Sequence, residues 1–239
     1  MMLVAGRRNA KSRTLPSRQR YAPFMEASQK IRTIIDIAWT SYMQKVSAGL
    51  LSPENEKMMQ LQLAQILQTL APIFEYHGQE TIKILLEVPL HIDRIPSKRV
   101  IDIVILYQEA KTQLYFPIEL KCFREYTRDG TGKKRGAQNL GMFDYWADIE
   151  NIEQYCLING HAFGTQLTLT DDEYYVLGKH AGSQVAVYST NTWRENVSGV
   201  LSAPIANRSG HLVLKGNYST TNWIMRGHFR FIRQEFNGA

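Results

Sequence analysis

Two apolar runs constrain this chain more than any other feature: "VIDIVIL" at residues 100–106 and "FPIELKCF" at residues 116–123. Both have the length and branched composition of buried strands. At period two, Val100, Asp102, Val104 and Leu106 share one face of the first strand, and Ile101, Ile103 and Ile105 share the other. In the second, Pro117, Glu119, Lys121 and Phe123 share a face, and Phe116, Ile118, Leu120 and Cys122 share the other. Strands apolar on both faces belong to a sheet covered on both sides. The charges of Asp102, Glu119 and Lys121 therefore cannot simply point to water. Glu119 and Lys121 lie about 7 Å apart by strand rise, and Asp102 meets them if the strands are neighbours.

A lone carboxylate in an apolar core costs several kcal/mol or takes up a proton. Two close carboxylates repel as well. A hard divalent cation relieves both problems, since Mg²⁺ takes oxygen ligands and uses one or two carboxylates. Such an ion polarises a phosphodiester and lowers the pKa of a bound water, and a lysine fits beside that water or the phosphate. An ordinary salt bridge of Lys121 with Asp102 or Glu119 would use the same three residues.

The surrounding pattern places this cluster. Ile31, Ile34, Ile35, Ala38, Trp39 and Tyr42 recur at helical spacing, which predicts a helix over residues 26–47. Ser52 and Pro53 predict the cap and first turn of a second helix running to about residue 71, with Glu54 and Glu56 in its first turn. Strands are expected over residues 81–88, 99–108 and 113–123, joined by short turns as an antiparallel meander. A polar loop, "REYTRDGTGKKRG", precedes a helix in "AQNLGMFDYWADIENIEQYCL", with Leu140, Phe143, Ala147, Ile149 and Ile152 near one face. A strand in "AFGTQLTLT", a short capped helix in "DDEYYVLG", an irregular stretch over 180–210, and late strands in "HLVLKG" and "HFRFIRQEF" complete the reading. The loop's Gly130, Gly132 and Lys133 lack the spacing of a phosphate loop. Its Lys133, Lys134 and Arg135 are either phosphate contacts or an exposed basic loop. Tyr145 and Trp146 read as core packing in preference to base stacking.

Order and residues together resemble the PD-(D/E)XK, or restriction-endonuclease-like, nuclease superfamily, through Asp102 in "VIDIVIL" and Glu119-Leu120-Lys121 in "IELK". The helix in "GAQNLGMFDYWADIENIE" adds to the likeness, which covers about residues 50–170. Ile101 stands where the pattern has proline. The resemblance implies an α/β fold with a restriction-endonuclease-like core: a mixed central sheet, built from a three-stranded antiparallel meander plus further strands, flanked by helices on both faces. It implies that Asp102, Glu119 and the Leu120 carbonyl hold Mg²⁺ or Mn²⁺, and that Lys121 orients or activates the attacking water. It extends the site to Glu56, with Glu54 next, and to Gln138; helix-end electrostatics and a surface position are the alternatives for these. The implied activity is Mg-dependent hydrolysis of DNA, ahead of RNA, in defence, restriction or repair. The alternative is a catalytically inactive nuclease-like subunit that binds or regulates. A homodimer, or a partner protein of a defence system, is the expected assembly.

Composition limits the remaining classes. No apolar run reaches the ~18 residues of a membrane span, and no secretory h-region is evident, so a cytoplasmic setting without membrane contact is expected. Cys122 and Cys156 form neither a metal spacing nor a disulfide framework. The six histidines are scattered, and no G-x-S-x-G elbow occurs. The net charge of +6 arises in the first twenty residues, which hold Arg7, Arg8, Lys11, Arg13, Arg18 and Arg20 and no acid. Residues 1–25 are expected to form a basic, disordered tail, either solvated or an arm toward nucleic acid phosphates, with a low-ranked resemblance to a transit peptide. Residues 26–239 are expected to form one domain.

Overall fold

The computed structural model describes residues 17–90, 99–126, 132–157, 162–178 and 183–238. Most of the basic tail, Gly130, His91, His161 and His180 lie outside the described residues.

Two helices come first, α1 (Ser17–Ser47) and α2 (Glu56–Leu70), followed by a 3-10 turn at Ala71–Phe74. The meander follows as β1 (Glu80–Leu90), β2 (Arg99–Glu109) and β3 (Thr112–Phe123). Helix α3 (Gln138–Cys156) then crosses to β4 (Phe163–Thr170), which pairs parallel with β3. A short helix α4 (Tyr174–Leu177) and a 3-10 turn at Ala186–Tyr188 precede β5 (Val197–Ser202), β6 (His211–Tyr218), β7 (Ile224–Arg226) and β8 (Phe229–Asn237). The main sheet is open and mixed, in the order β1-β2-β3-β4-β8-β7, and β5 and β6 form a separate antiparallel pair.

The burial pattern follows from the two-sided apolar strands. On one face, Ile103, Ile105, Phe116, Ile118 and Leu120 join Ile31, Ile34, Ile35 and Trp39 of α1 and Met59, Leu63 and Leu67 of α2 in one core. Across the sheet, Tyr145, Trp146 and Ile149 of α3 pack with Ile232 of β8, Leu212 and Leu214 of β6, and Tyr188. The parallel β3–β4 pair requires a crossover, and α3 provides it over that second face. Tyr145 and Trp146 are fully buried. The Trp146 indole N–H donates to the Tyr188 carbonyl at 2.9 Å, and the Gln166 amide donates to the Tyr145 carbonyl at 2.7 Å. Core packing is thus what these two aromatics do.

Three sequence expectations are corrected. Helix α1 starts at Ser17, so the last nine residues assigned to a disordered tail are helical, Arg18 and Arg20 among them. Helix α2 is capped by Asn55, whose side chain accepts from the Met58 N–H at 2.8 Å, in place of Ser52. Glu56, not Pro53, then becomes the first helical residue. The stretch over 180–210 contains β5, hidden because only Val197 and Leu201 of its six residues are buried and Gly199 takes a left-handed φ of 73°. Its partner β6 leaves the main sheet for α3, where the Glu153 carboxylate accepts from the Lys215 and Gly216 N–H groups and the Tyr218 hydroxyl.

The Asn55 cap sets the position of Glu56 as well as the start of α2. Asn55→Ala is expected to lower stability by about 1 kcal/mol, read by urea unfolding, with the m-value unchanged.

Candidate functional site: a buried carboxylate and lysine cluster

The β2–β3 ladder pairs Glu109 with Thr112 and continues to Ile103 opposite Ile118. One step further stand Asp102 and Glu119, and here a side chain takes over from the ladder. The Asp102 Oδ2 accepts the Leu120 backbone N–H at 2.9 Å. The Asp102 carbonyl accepts the Gln60 Nε2 at 2.5 Å, and the same amide donates to Glu87 at 2.9 Å. Glu87 stands opposite Asp102 in the unshifted β1–β2 register, with a left-handed φ of 52°. Helix α2 thereby clamps the end of β2 through its buried Gln60.

Asp102 and Glu119 are both buried, at 9% and 5% exposure. Burial pushes the Glu119 carboxyl well above the usual carboxylate range; the charges of Asp148 and Asp102 add to this, and a hydrogen bond with Asp102 favours its protonated form. Lys121 lies two residues on, on the same face. Its ammonium is 2.6 Å from Asp148 Oδ2, on α3, and 3.4 Å from Glu56 Oε2, at the start of α2. Burial works against its charge, but Asp148, Glu56 and Glu119 outweigh burial and raise its pKa above the ordinary lysine value. Burial in turn raises Asp148 and Glu56 to about 6 each, despite the attraction of Lys121.

The expected residues thus separate into two groups. Asp102, Glu119, Lys121 and Glu56 converge. Gln138 does not: it opens α3 at the far end of the helix, and its amide donates to the Arg135 carbonyl at 2.9 Å and to Asp172 at 3.4 Å. Ten residues of helix, about 15 Å, separate it from Asp148. Glu54 precedes the cap and is not in the first turn of α2. The alternative ion pair of Lys121 with Asp102 or Glu119 gives way to pairs with Asp148 and Glu56.

Asp148 escaped the sequence reading. The usable signal was its position three residues after Tyr145 and four before Ile152, an acid in the stripe that faces the sheet. Gln166 was also missed. It pairs in register with Glu119, and Gln234 pairs with Gln166, so polar side chains continue across β4 and β8 on the same face.

The oxygen-only donor set suits a hard cation. Among the described residues, no three His, Cys, Asp or Glu side chains stand together as a ready ion cage. The Asp102 and Glu119 pair, beside the Leu120 backbone, nonetheless meets what Mg²⁺ asks of a protein, one or two carboxylates with water completing the shell. No family model, curated protein or solved structure matches the chain.

The three raised carboxylates make stability depend on pH with a definite sign. Each binds its proton more tightly folded than unfolded, so its contribution is full below the ordinary values of 3.8 and 4.5; that of Asp148 and Glu56 is lost as pH rises through about 6, and that of Glu119 is lost as pH rises through its own raised value. In metal-free buffer, Glu119→Gln is expected to raise stability at pH 7 by about 1 kcal/mol. It should also flatten the decline between pH 4 and 7, measured by thermal melts across that range.

Proposed function

We propose that this chain is a metal-dependent nuclease that hydrolyses phosphodiester bonds of DNA. The observation that carries the reading is the convergence of Asp102, Glu119 and Lys121 with Glu56 at the ends of adjoining strands, in a buried, oxygen-rich pocket. The element order supports a restriction-endonuclease-like core: helix α2, the β1-β2-β3 meander, the crossover helix α3, and β4 parallel to β3.

In this reading Asp102, Glu119 and the Leu120 carbonyl hold Mg²⁺ or Mn²⁺. When bound there, the ion supplies positive charge that polarises a phosphate oxygen and acidifies a water. The chain's own groups do the rest. Lys121, kept charged by Asp148 and Glu56, holds the attacking water or the phosphate oxygen by a charge-assisted hydrogen bond. Gln60 and the Leu120 N–H fix Asp102 so that its carboxylate needs no rearrangement. The apolar cover of α1, α2 and α3 lowers the local dielectric and strengthens each of these interactions.

A second reading, a nuclease-like subunit that binds without cutting, has its own support. The Lys121 ammonium is engaged by two carboxylates, and no ready ion cage stands among the described residues. Incubation with plasmid and linear DNA in Mg²⁺ or Mn²⁺ separates the two. The nuclease reading expects cleavage that falls at least about 100-fold in Asp102→Asn and Lys121→Ala. Absence of cleavage in every condition, or undiminished cleavage by Lys121→Ala, favours the second.

A further inference from the structure

A cavity of about 870 Å³ opens outside the carboxyl ends of β3 and β4, against the first residues of β8. In open α/β sheets this is where ligands sit, and the volume suits an organic ligand of several rings. Arg124 directly follows β3 and Asp171 directly follows β4. The cavity and the carboxylate cluster share strand β3. Arg124 lies three residues, about 10 Å of strand rise, beyond Lys121. Both are tied to one segment, Arg124 to the Pro53 carbonyl and Lys121 to Glu56.

The wall's charges are spent on one another. Arg124 pairs with Asp171 at 2.8 Å, Arg230 with Glu173 at 2.7 Å and Lys134 with Glu125 at 2.5 Å. Asp172 accepts the Tyr174 N–H at 2.9 Å and the Gln138 amide at 3.4 Å. A wall of three paired cations and four carboxylates lacks the surplus positive charge that a phosphate requires. What it offers instead is flat faces and hydrogen-bonding edges. Tyr126, Tyr174 and Phe229 line it, with the Arg124 guanidinium 5.4 Å above the Phe229 ring. Arg230, 7% exposed, lines it too, and its buried Nε has no hydrogen-bond partner among the described residues.

A neutral, planar group with polar edges fits that chemistry, and a nucleobase is such a group. We infer that the cavity takes an unstacked base of the DNA strand whose phosphodiester lies at Glu119 and Lys121, which makes it the seat of base preference. The inference rests on the nuclease reading for the placement of that strand. It also gives Gln138 a place, as part of the base pocket and not of the hydrolytic cluster.

Fluorescence polarisation of short labelled single DNA strands, each of one base, tests this with the full chain in EDTA, where no metal-dependent cutting occurs. The expected result is tighter binding of at least one base, weakened roughly tenfold by Phe229→Ala and by Tyr126→Ala. Tyr126 is 46% exposed, so its variant keeps the fold even where Phe229→Ala does not. Equal binding of all strands, unchanged in Tyr126→Ala, overturns the base pocket. Cleavage assays in Mg²⁺ keep the two ideas apart. Cutting without base-selective binding overturns the pocket alone; base-selective binding lost in the variants supports the pocket even where no cutting is seen.

Discussion

The structure turns on one ammonium among four carboxylates. Lys121 stands between Asp148 and Glu56, with Glu119 and Asp102 near it; Glu56 is partly exposed and the other four groups are largely withdrawn from water. A single positive charge cannot balance four ionised acids at low dielectric. The chain's response is visible in the protonation pattern. Glu119 holds its proton well above the ordinary range, and Asp148 and Glu56 are raised to about 6. An assembly that must protonate its own acids is poorly built as a structural salt bridge. The cation of the proposed function would relieve that imbalance.

The rest of the fold serves to hold this arrangement. Helices α1 and α2 seal one face of the sheet with an aliphatic core, and α3 seals the other through Tyr145, Trp146 and Ile149. The same packing brings each charged group to its place: α2 contributes Glu56 and the Gln60 clamp, and α3 contributes Asp148. The β3-α3-β4 crossover leaves the strand ends open, and there the cavity of Arg124, Phe229 and Arg230 begins. The carboxylate cluster and the cavity thus share β3, the cavity beginning just past its carboxyl end.

Much of this was legible in the sequence because it is local. Period-two alternation located β2 and β3 and put Glu119 and Lys121 on one face, and apolar spacing located α2 and α3. What remained hidden depends on non-local contacts. Asp148 reads as an ordinary helix acid until α3 is laid over Lys121. Gln138 sits one helix length from the cluster, a distance that no local spacing rule reports. Asn55 displaced Ser52 as the cap because its side chain reaches the Met58 N–H from an extended backbone, φ −159°. Strand β5 was invisible because its burial comes from β6 and the 3-10 turn at Ala186–Tyr188, not from an apolar run of its own.

The central claim is that the Asp102 and Glu119 pair is built for a divalent cation, and calorimetric titration of Mg²⁺ or Mn²⁺ into the metal-free chain at pH 7 tests it most directly. The account predicts saturable binding that raises the melting temperature and disappears in both Asp102→Asn and Glu119→Gln. Absence of binding in the native chain, or binding unchanged in both variants, would contradict it.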